Sequence, residues 1–194
     1  MTISTHLTLA NLSRLTPTPA DSLRYLALME AQISDPRTDP DGLDDLASLW
    51  QELHRHHRQI SDYGPLVEDL AASWASRLRW YRDLLTHGAS YLTATDHEGR
   101  LIGYAMVALG DGPDDTFEVT GGIAEVVSLV VTQDRRSAGV GRALLTAAEA
   151  IARRNGFDTV KIAVMSGNSR AREFYESGGY SVAEHVLYRR LDSQ

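Results

Sequence analysis

The amino-acid sequence predicts a mixed α/β domain, on three observations about the order of its apolar patterns. Apolar residues recur at helical spacing in two segments, from Leu43 to Ile60 and from Leu66 to Leu85. Two strand-like runs joined by a hairpin signal come next, and the rest of the chain alternates strand, helix, strand, helix and strand. Because hairpin-linked strands are antiparallel and helix-linked strands are parallel, this order predicts a mixed sheet flanked by helices.

Residues 1–88 are predicted to be a mainly helical part of a single domain spanning 1–194. "TPADSLRYLALMEAQIS" at 18–34 has helical periodicity with Pro19 near its start, and weak alternation in "HLTLANL" indicates a possible first strand. "DPRTDPDG" is turn-rich and predicts a linker. Gly88 is a plausible stop for the helix that begins at Leu66.

Residues 89–194 are predicted to hold most of the sheet. The hairpin turns at Asp96–Gly99, and a polar loop then leads to the strand "IAEVVSLVV". A helix follows from Val140 to Asn155 and ends at Gly156. The remaining predicted elements are a buried strand in "DTVKIAV", a short helix in "SRAREFYESGG" and a final strand or pair of strands in "YSVAEHVLYRRL".

Composition excludes several classes of function. The chain has no cysteine, which rules out disulfides, a cysteine nucleophile and thiolate metal sites. Lys161 is the one lysine, so a Schiff-base mechanism has one candidate, although a compositional bias towards arginine explains the count more simply. A net charge of −7 argues against a nucleic-acid partner and is compatible with a cationic acceptor such as an amine. With neither a signal-peptide pattern nor a bilayer-length apolar run, we expect a cytoplasmic protein without a membrane partner.

A glycine-spaced turn, Arg136-Ser137-Ala138-Gly139-Val140-Gly141, lies between a predicted strand and the start of a predicted helix. The first N–H groups of a helix have no internal acceptor, and the helix dipole adds partial positive charge there. A phosphate or pyrophosphate is therefore the expected ligand. The turn matches neither a nucleotide P-loop, which requires Gly-Lys-Ser/Thr, nor a Rossmann turn, which requires a third glycine where this chain has Leu144.

Arg136-x-x-Gly139-x-Gly141, after a strand that begins Ala124-Glu125, resembles the pyrophosphate-binding motif of the GNAT N-acetyltransferase superfamily. A second match follows in Asn168, Ala171, Phe174-Tyr175 and Gly179-Tyr180, and together the matches cover roughly residues 90–191. The resemblance implies a GNAT-like fold: a mixed sheet splayed between its fourth and fifth strands, flanked by helices, with a helical N-terminal extension. It also implies acetyl-CoA as the acyl donor in this opening, with residues 89–194 as the acyl-CoA-binding core and residues 1–88 as the acceptor-side wall. The implied cofactor-binding residues are Leu129, Val130 and Val131 for the pantetheine, Arg136, Ser137, Ala138, Gly139, Val140, Gly141 and Arg142 for the pyrophosphate, and Asn168.

Acyl transfer to an amine needs a base for the ammonium, a donor for the oxyanion and an acid for the leaving thiolate. The resemblance makes Glu125 the candidate base and Tyr175 the candidate acid. Each has a structural alternative: Glu125 as an exposed or salt-bridged carboxylate at a strand end, and Tyr175 as a packed core tyrosine. Asn168 contacts the cofactor or caps the following helix, and a strand N–H near Leu129 is the expected oxyanion donor.

The histidines of "HRHH", His54 to His57, lack a metal-binding spacing and are expected on a solvated helix face or, as the second choice, in the lining of an acceptor pocket. We therefore predict no metal site.

The predicted function is that of an N-acyltransferase, most simply an acetyltransferase. In this prediction a small amine or a peptide N-terminus attacks the thioester directly in a ternary complex. The alternatives are an acyl-CoA-binding sensor or partner module without turnover and, more weakly, a nucleotide-binding regulatory domain. A homodimer is possible, as is common in the family. One or two of Trp50, Trp74, Trp80 and Tyr81, otherwise core residues, are candidates to shape the acceptor pocket.

Overall fold

The computed structural model describes residues 31–64, 66–110 and 116–191. The possible strand in "HLTLANL" and most of the predicted helix at 18–34 lie outside the described residues. The strands are β1 (Gln32–Ile33), β2 (Ser90–Thr95), β3 (Leu101–Leu109), β4 (Ile123–Val131) and β5 (Thr159–Lys161). The α-helices are α1 (Ala47–Ile60), α2 (Leu70–Thr86), α3 (Val140–Arg154) and α4 (Ser169–Glu176), with short 3-10 turns at Asp44–Leu46 and Gln133–Arg135.

The five strands form one sheet in chain order, β1-β2-β3-β4-β5. The first four strands pair antiparallel, while β4 and β5 pair parallel through the crossover helix α3. This is the predicted mixed sheet, and β4 and α3 begin at the predicted residues. Asp69 is the N-cap of α2, because its carboxylate accepts hydrogen bonds from the N–H groups of Ala71 and Ala72.

Two hydrophobic clusters cover opposite faces of the sheet. Helix α3 packs on one face through Leu144, Leu145 and Ala148, which meet strand residues such as Ala105 and Val126. Helices α1 and α2 pack on the other face through Trp50, Trp74 and Tyr81, which meet Tyr104 and Val130. Alternating side chains of β3 and β4 thus enter different cores, as expected for strands buried on both faces.

Three predictions about the sheet are corrected at its edges. The predicted helix at 18–34 is wrong at its end, because Gln32 and Ile33 pair with β2 as a strand and Ile33 packs against the α3-side core. The buried strand in "DTVKIAV" is shorter than predicted, since its pairing with β4 stops at Lys161. The final strand in "YSVAEHVLYRRL" is absent: residues 181–191 pair with no strand of the described chain and are exposed. Alternating apolar residues there indicated a strand, but a strand also needs a paired neighbour to satisfy its backbone.

None of the described helices is long and apolar enough to cross a membrane.

Candidate active site

A cleft opens in the sheet between β4 and β5. The parallel pairing runs through Ile123↔Thr159 and Ala124↔Val160 and ends at Glu125↔Lys161. Strand β4 continues to Val131, so the backbone edge of its second half faces the opening and not β5. The predicted pantetheine residues Leu129, Val130 and Val131 all lie on this open half.

A β-bulge interrupts β4 inside the open half. Met106 of β3 pairs with Ser128, and the next residue, Val107, pairs with Val126, so Val127 has no partner of its own on β3. A bulge bends the strand and turns backbone groups out of the ladder, and bulges are common beside active sites. No glycine marks this position in the sequence, where Val127 lies between Val126 and Ser128, so the bulge was not predicted.

A buried hydroxyl cluster supports the bulged segment from the α2 side. The Tyr81 hydroxyl donates to Ser128 Oγ at 2.6 Å and lies 3.1 Å from the Tyr104 hydroxyl. Burial raises the pKa of both tyrosines, which therefore stay neutral. The cluster fixes α2 against β3 and β4 at the residue next to the bulge.

The glycine turn leads from β4 into the first turn of α3. Gly139 has a φ of +91°, a left-handed conformation that glycine adopts without strain, and Ser137 also has a positive φ of +67°. The Ala143 N–H donates to the Gly139 carbonyl at 3.0 Å. The N–H groups of Val140, Gly141 and Arg142 precede this bond and have no acceptor within the helix. They form the positive end of α3, at the end of the open strand.

Helix α1 is tied to this turn by Glu52. Its Oε1 accepts from the Gln133 N–H at 2.8 Å and from the Arg136 guanidinium at 3.2 Å. The Arg136 Nε also donates to the Val131 carbonyl at 3.2 Å. The side chain of Arg136 therefore holds the turn against α1 and β4. Sequence reasoning did not identify Glu52, which lies far from the turn along the chain.

Two further arginines belong to the surroundings of the turn. The Arg142 guanidinium lies over the Phe174 ring and donates to the Phe174 carbonyl and to Ser177 Oγ, so it joins α3 to the end of α4. Arg170, which was not predicted, donates to Ser137 Oγ at 2.9 Å and places a cation beside the turn. The sequence signal that could have identified Arg170 is its position in the first turn of α4, two residues after Asn168.

The predicted residues of α4 lie where that helix meets the core. The Asn168 side chain accepts from the Ala171 N–H at 3.1 Å, so it caps α4, which was one of its two predicted roles. Tyr175 is 8% exposed and packs against Phe174 and Tyr180. Burial raises the pKa of Tyr175, so the hydroxyl keeps its proton at neutral pH. A protonated phenol is suited to donating to a leaving thiolate, but the same burial fits a core tyrosine.

Glu125 lies at the closed end of the cleft. Its Oε2 is 3.2 Å from the Lys161 ammonium, in the last β4–β5 pair, and about a third of its side chain is exposed. Glu125 is thus a salt-bridged carboxylate, which is the structural role stated above as the alternative to a base. The structure places Glu125 and the glycine turn at opposite ends of the open half of β4, while Tyr175 lies in the α3-side core.

Helix α1 contacts the loop after β5. At the end of this helix, a side chain on Gly167 would collide with the Ile60 carbonyl, so α1 and the loop after β5 are in close contact. The Ser166 hydroxyl donates to the Asp62 carboxylate at 2.9 Å across the same junction. On the neighbouring helix α2, Trp80 is 43% exposed and its ring covers the Arg77 guanidinium.

The histidines of α1 have different surroundings. The expectation of a solvated face is wrong for His54, which is 7% exposed, stacks on Trp50 and donates from Nε2 to the Val67 carbonyl at 2.7 Å. Burial, with the nearby imidazoles and Arg77, lowers the pKa of His57 to about 4, so this imidazole is neutral at neutral pH. Within the described ranges, no group of three or more His, Cys, Asp or Glu residues is arranged to hold a metal ion.

The family model described as the acetyltransferase (GNAT) family matches residues 44–180. The chain belongs to this family. The match includes α1, α2, the cleft, the glycine turn and α4, and it confirms the family and the fold class predicted from the two motifs. The GNAT family uses acetyl-CoA as its donor.

Relatives and solved structures agree with this assignment. A mycothiol acetyltransferase from Clavibacter sepedonicus is 36% identical over 103 residues, covering 53% of this chain and 31% of that protein. One from Propionibacterium freudenreichii subsp. shermanii is 30% identical over 166 residues, covering 86% of this chain and 48% of that protein. The chain thus spans about half or less of the length of these curated relatives. A GCN5-related N-acetyltransferase from Ralstonia eutropha JMP134 superposes with a TM-score of 0.66 at 17% identity, covering 82% of this chain and 98% of that one, which is a likeness of fold.

Proposed function

We propose that this chain is an acetyl-CoA-dependent N-acetyltransferase that acts on a small primary amine. The observation that carries the proposal is the continuity of one path: the open edge of β4, from Val126 to Val131, leads directly to the N–H groups at the start of α3. An extended amide chain with a pyrophosphate at its end suits such a path, because the strand edge pairs with amides and the helix start attracts phosphate.

The donor is proposed to lie along this path. Its pantetheine amides pair with the backbone near Leu129, Val130 and Val131, and its pyrophosphate meets the N–H groups from Arg136 to Arg142. The left-handed Gly139 supports this placement, since it lets the chain reverse into the helix without a side chain at the ligand. Asn168 contributes by fixing the start of α4.

The reacting groups are proposed to meet near the closed end of the cleft. The Glu125 carboxylate takes the proton of the acceptor ammonium, and the neutral amine attacks the thioester carbonyl directly. A backbone N–H of β4 near Leu129, in the strand that contains the bulge, stabilises the oxyanion. The Tyr175 hydroxyl protonates the departing CoA thiolate. The raised pKa of Tyr175 and the position of Glu125 at the last strand pair support these roles.

The acceptor is proposed to enter over residues 1–88, whose described helices α1 and α2 border the cleft. Two relatives are named mycothiol acetyltransferases, which places mycothiol-related amines first among the small acceptors to test. The acidic net charge of −7 also suits a cationic acceptor.

The test is a thiol-release assay with acetyl-CoA and a panel of amines. The panel contains mycothiol-related amines, polyamines, aminoglycosides, amino acids and peptides with free N-termini. We expect CoA release and an acetylated product with at least one small amine. Binding of acetyl-CoA without turnover across the whole panel would instead support a non-catalytic acyl-CoA-binding module.

A further inference from the structure

Lys161 brings an amine of the chain itself to the closed end of the cleft. Its Nζ lies 3.2 Å from Glu125 Oε2, and the two residues form the last pair before β4 and β5 separate. The Lys161 side chain is 60% exposed, so its ammonium is open to solvent. It is also the one lysine among 194 residues, so the chain offers a single side-chain amine.

The ion pair adds little to stability. Exposed lysine–carboxylate pairs contribute little to folding stability, because water screens the charges and both side chains lose freedom. Its chemical consequence is larger, since it holds a primary amine against the carboxylate proposed as the base for an amine acceptor. An amine and its base at hydrogen-bonding distance form the acceptor half of an acyl-transfer site.

We propose that Lys161 is itself an acetyl acceptor and that the folded chain transfers an acetyl group from acetyl-CoA to Lys161 Nζ. This inference rests on the proposed function, because it uses the same donor and the same base. Glu125 accepts a proton from the Lys161 ammonium, and the neutral amine attacks the thioester carbonyl. The new C–N bond forms, the attacking nitrogen gives its second proton to water, the C–S bond breaks, and the CoA thiolate leaves and is protonated by Tyr175 or by water. The products are an Nζ-acetyl-lysine and free CoA.

Acetylation of Lys161 changes the charge at the site. An amide nitrogen carries no positive charge, so the modification removes the ion pair between Lys161 and Glu125.

The experiment incubates the purified chain with acetyl-CoA in the absence of acceptor. Intact mass spectrometry follows the addition of one acetyl group, and peptide mapping locates it. We expect labelling at Lys161 with a first-order rate that does not change with protein concentration, because the transfer is intramolecular. Lys161→Arg keeps the positive charge beside Glu125 and should gain no acetyl group at this position. Glu125→Gln should label roughly 10²-fold more slowly, since the proton acceptor is removed.

Two controls separate this inference from the proposed function. The urea-unfolded chain with acetyl-CoA measures non-enzymatic acetylation, and the shift in melting temperature on adding acetyl-CoA measures binding. A melting shift together with Lys161 labelling no faster than in the unfolded chain would overturn this inference and leave the proposed function intact. A labelling rate that rises with protein concentration, or equal labelling in Glu125→Gln, would also overturn it. A chain that shows neither a melting shift nor CoA release with any amine would overturn both proposals.

Discussion

The two walls of the cleft are built in different ways. One wall, which we propose as the donor wall, is a continuous segment in which β4, the glycine turn and α3 follow one another from Ile123 to Arg154. The other wall, which we propose as the acceptor wall, depends on contacts between segments that are distant in the chain. Ser166 reaches across 104 residues to Asp62, and Glu52 reaches across 81 residues to join α1 to the Gln133 N–H of the first wall.

This difference explains why the donor is easier to infer than the acceptor. A strand, a turn and a helix start within one segment present a defined set of backbone groups, and those groups are complementary to amides and phosphate. On the other wall, side chains from α1, α2 and the loop after β5 are brought together by packing. One scaffold of this kind accommodates many acceptors, so the fold alone does not select one.

The largest expected effect comes from the residue proposed to act on the donor's leaving group. Tyr175→Phe keeps the ring and its contacts with Phe174 and Tyr180 but removes the hydroxyl proton. We expect kcat to fall by roughly 10²–10⁴-fold with acetyl-CoA affinity almost unchanged. Steady-state kinetics and a binding titration measure the two quantities separately.

Tyr180→Phe is the matched control for that variant. Tyr180 lies beside Tyr175 and its hydroxyl donates to the Glu149 carboxylate at 3.2 Å, so the substitution also removes a partly buried tyrosine hydroxyl. We expect its kcat to stay close to that of the unmodified chain. Equal activity in both variants would make Tyr175 a packing residue and leave protonation of the thiolate to solvent.

The second effect concerns the closed end of the cleft, where the two walls meet. Glu125→Gln keeps the shape of the side chain but removes the proposed base. We expect kcat/KM at neutral pH to fall by roughly 10²-fold and to recover partly as the pH rises, because more of the acceptor amine is then already neutral. A pH–rate profile identical to that of the unmodified chain would show that Glu125 serves only its ion pair with Lys161.

The third effect tests the donor wall alone. Gly141→Glu places a carboxylate in the first turn of α3, where we propose the pyrophosphate binds. At acetyl-CoA concentrations about 100 times Kd, binding stabilises the native chain by about 2.7 kcal/mol, and we expect the variant to lose this. In melting temperature the loss is about 5–11 °C for a chain of this size. Differential scanning fluorimetry with and without acetyl-CoA measures it.

Gly141→Ala controls for the loss of glycine at that position. An added Cβ would lie 3.6 Å from the Phe174 ring and 3.7 Å from Val131 Cγ2, which are ordinary contacts. We therefore expect Gly141→Ala to keep its melting shift with acetyl-CoA. The assignment of the turn would be wrong if a folded Gly141→Glu showed the same shift as Gly141→Ala.

Agreement between sequence and structure depends on whether a feature is determined within one segment of the chain or by contacts between segments. The sequence was sufficient to predict β4, the start of α3 and the hairpin at Asp96–Gly99, because periodicity and turn residues within each segment determine them. It did not predict the bulge at Val127 or the roles of Glu52 and Arg170, which depend on a partner strand or on distant side chains. The burial of His54 was missed for the same reason, since its partner Val67 lies on another segment.

A smaller effect tests whether α2 belongs to the acceptor wall. Trp80→Ala removes an exposed ring that covers Arg77, while the donor path along β4 is untouched. We expect acceptor KM to rise by roughly 10-fold, as for the loss of about 1.4 kcal/mol of binding, with the Kd of acetyl-CoA unchanged. The opposite pattern, with acetyl-CoA affinity reduced and acceptor KM constant, would remove α2 from the acceptor wall.

The smallest effect concerns the acid stability of α1. In the unfolded chain His57 binds a proton near its ordinary pKa of 6.5, whereas in the folded chain burial lowers this pKa to about 4. As the pH falls through this window, the unfolded state takes up a proton that the folded state does not, so the free energy of unfolding decreases. Below the folded pKa both states are protonated and this loss stops growing.

His57→Gln should remove this contribution and make the chain less sensitive to acid between those two pKa values. We expect the free energy of unfolding of the variant to fall by about 1 kcal/mol less than that of the unmodified chain, which corresponds to about 2–4 °C in melting temperature. The difference is this small because partial exposure screens the charge of the imidazolium. His97→Gln, on the exposed hairpin turn, is the control and should melt like the unmodified chain at each pH. If His57→Gln were as acid-sensitive as the control, His57 would be solvated in the folded chain, and burial would not lower its pKa.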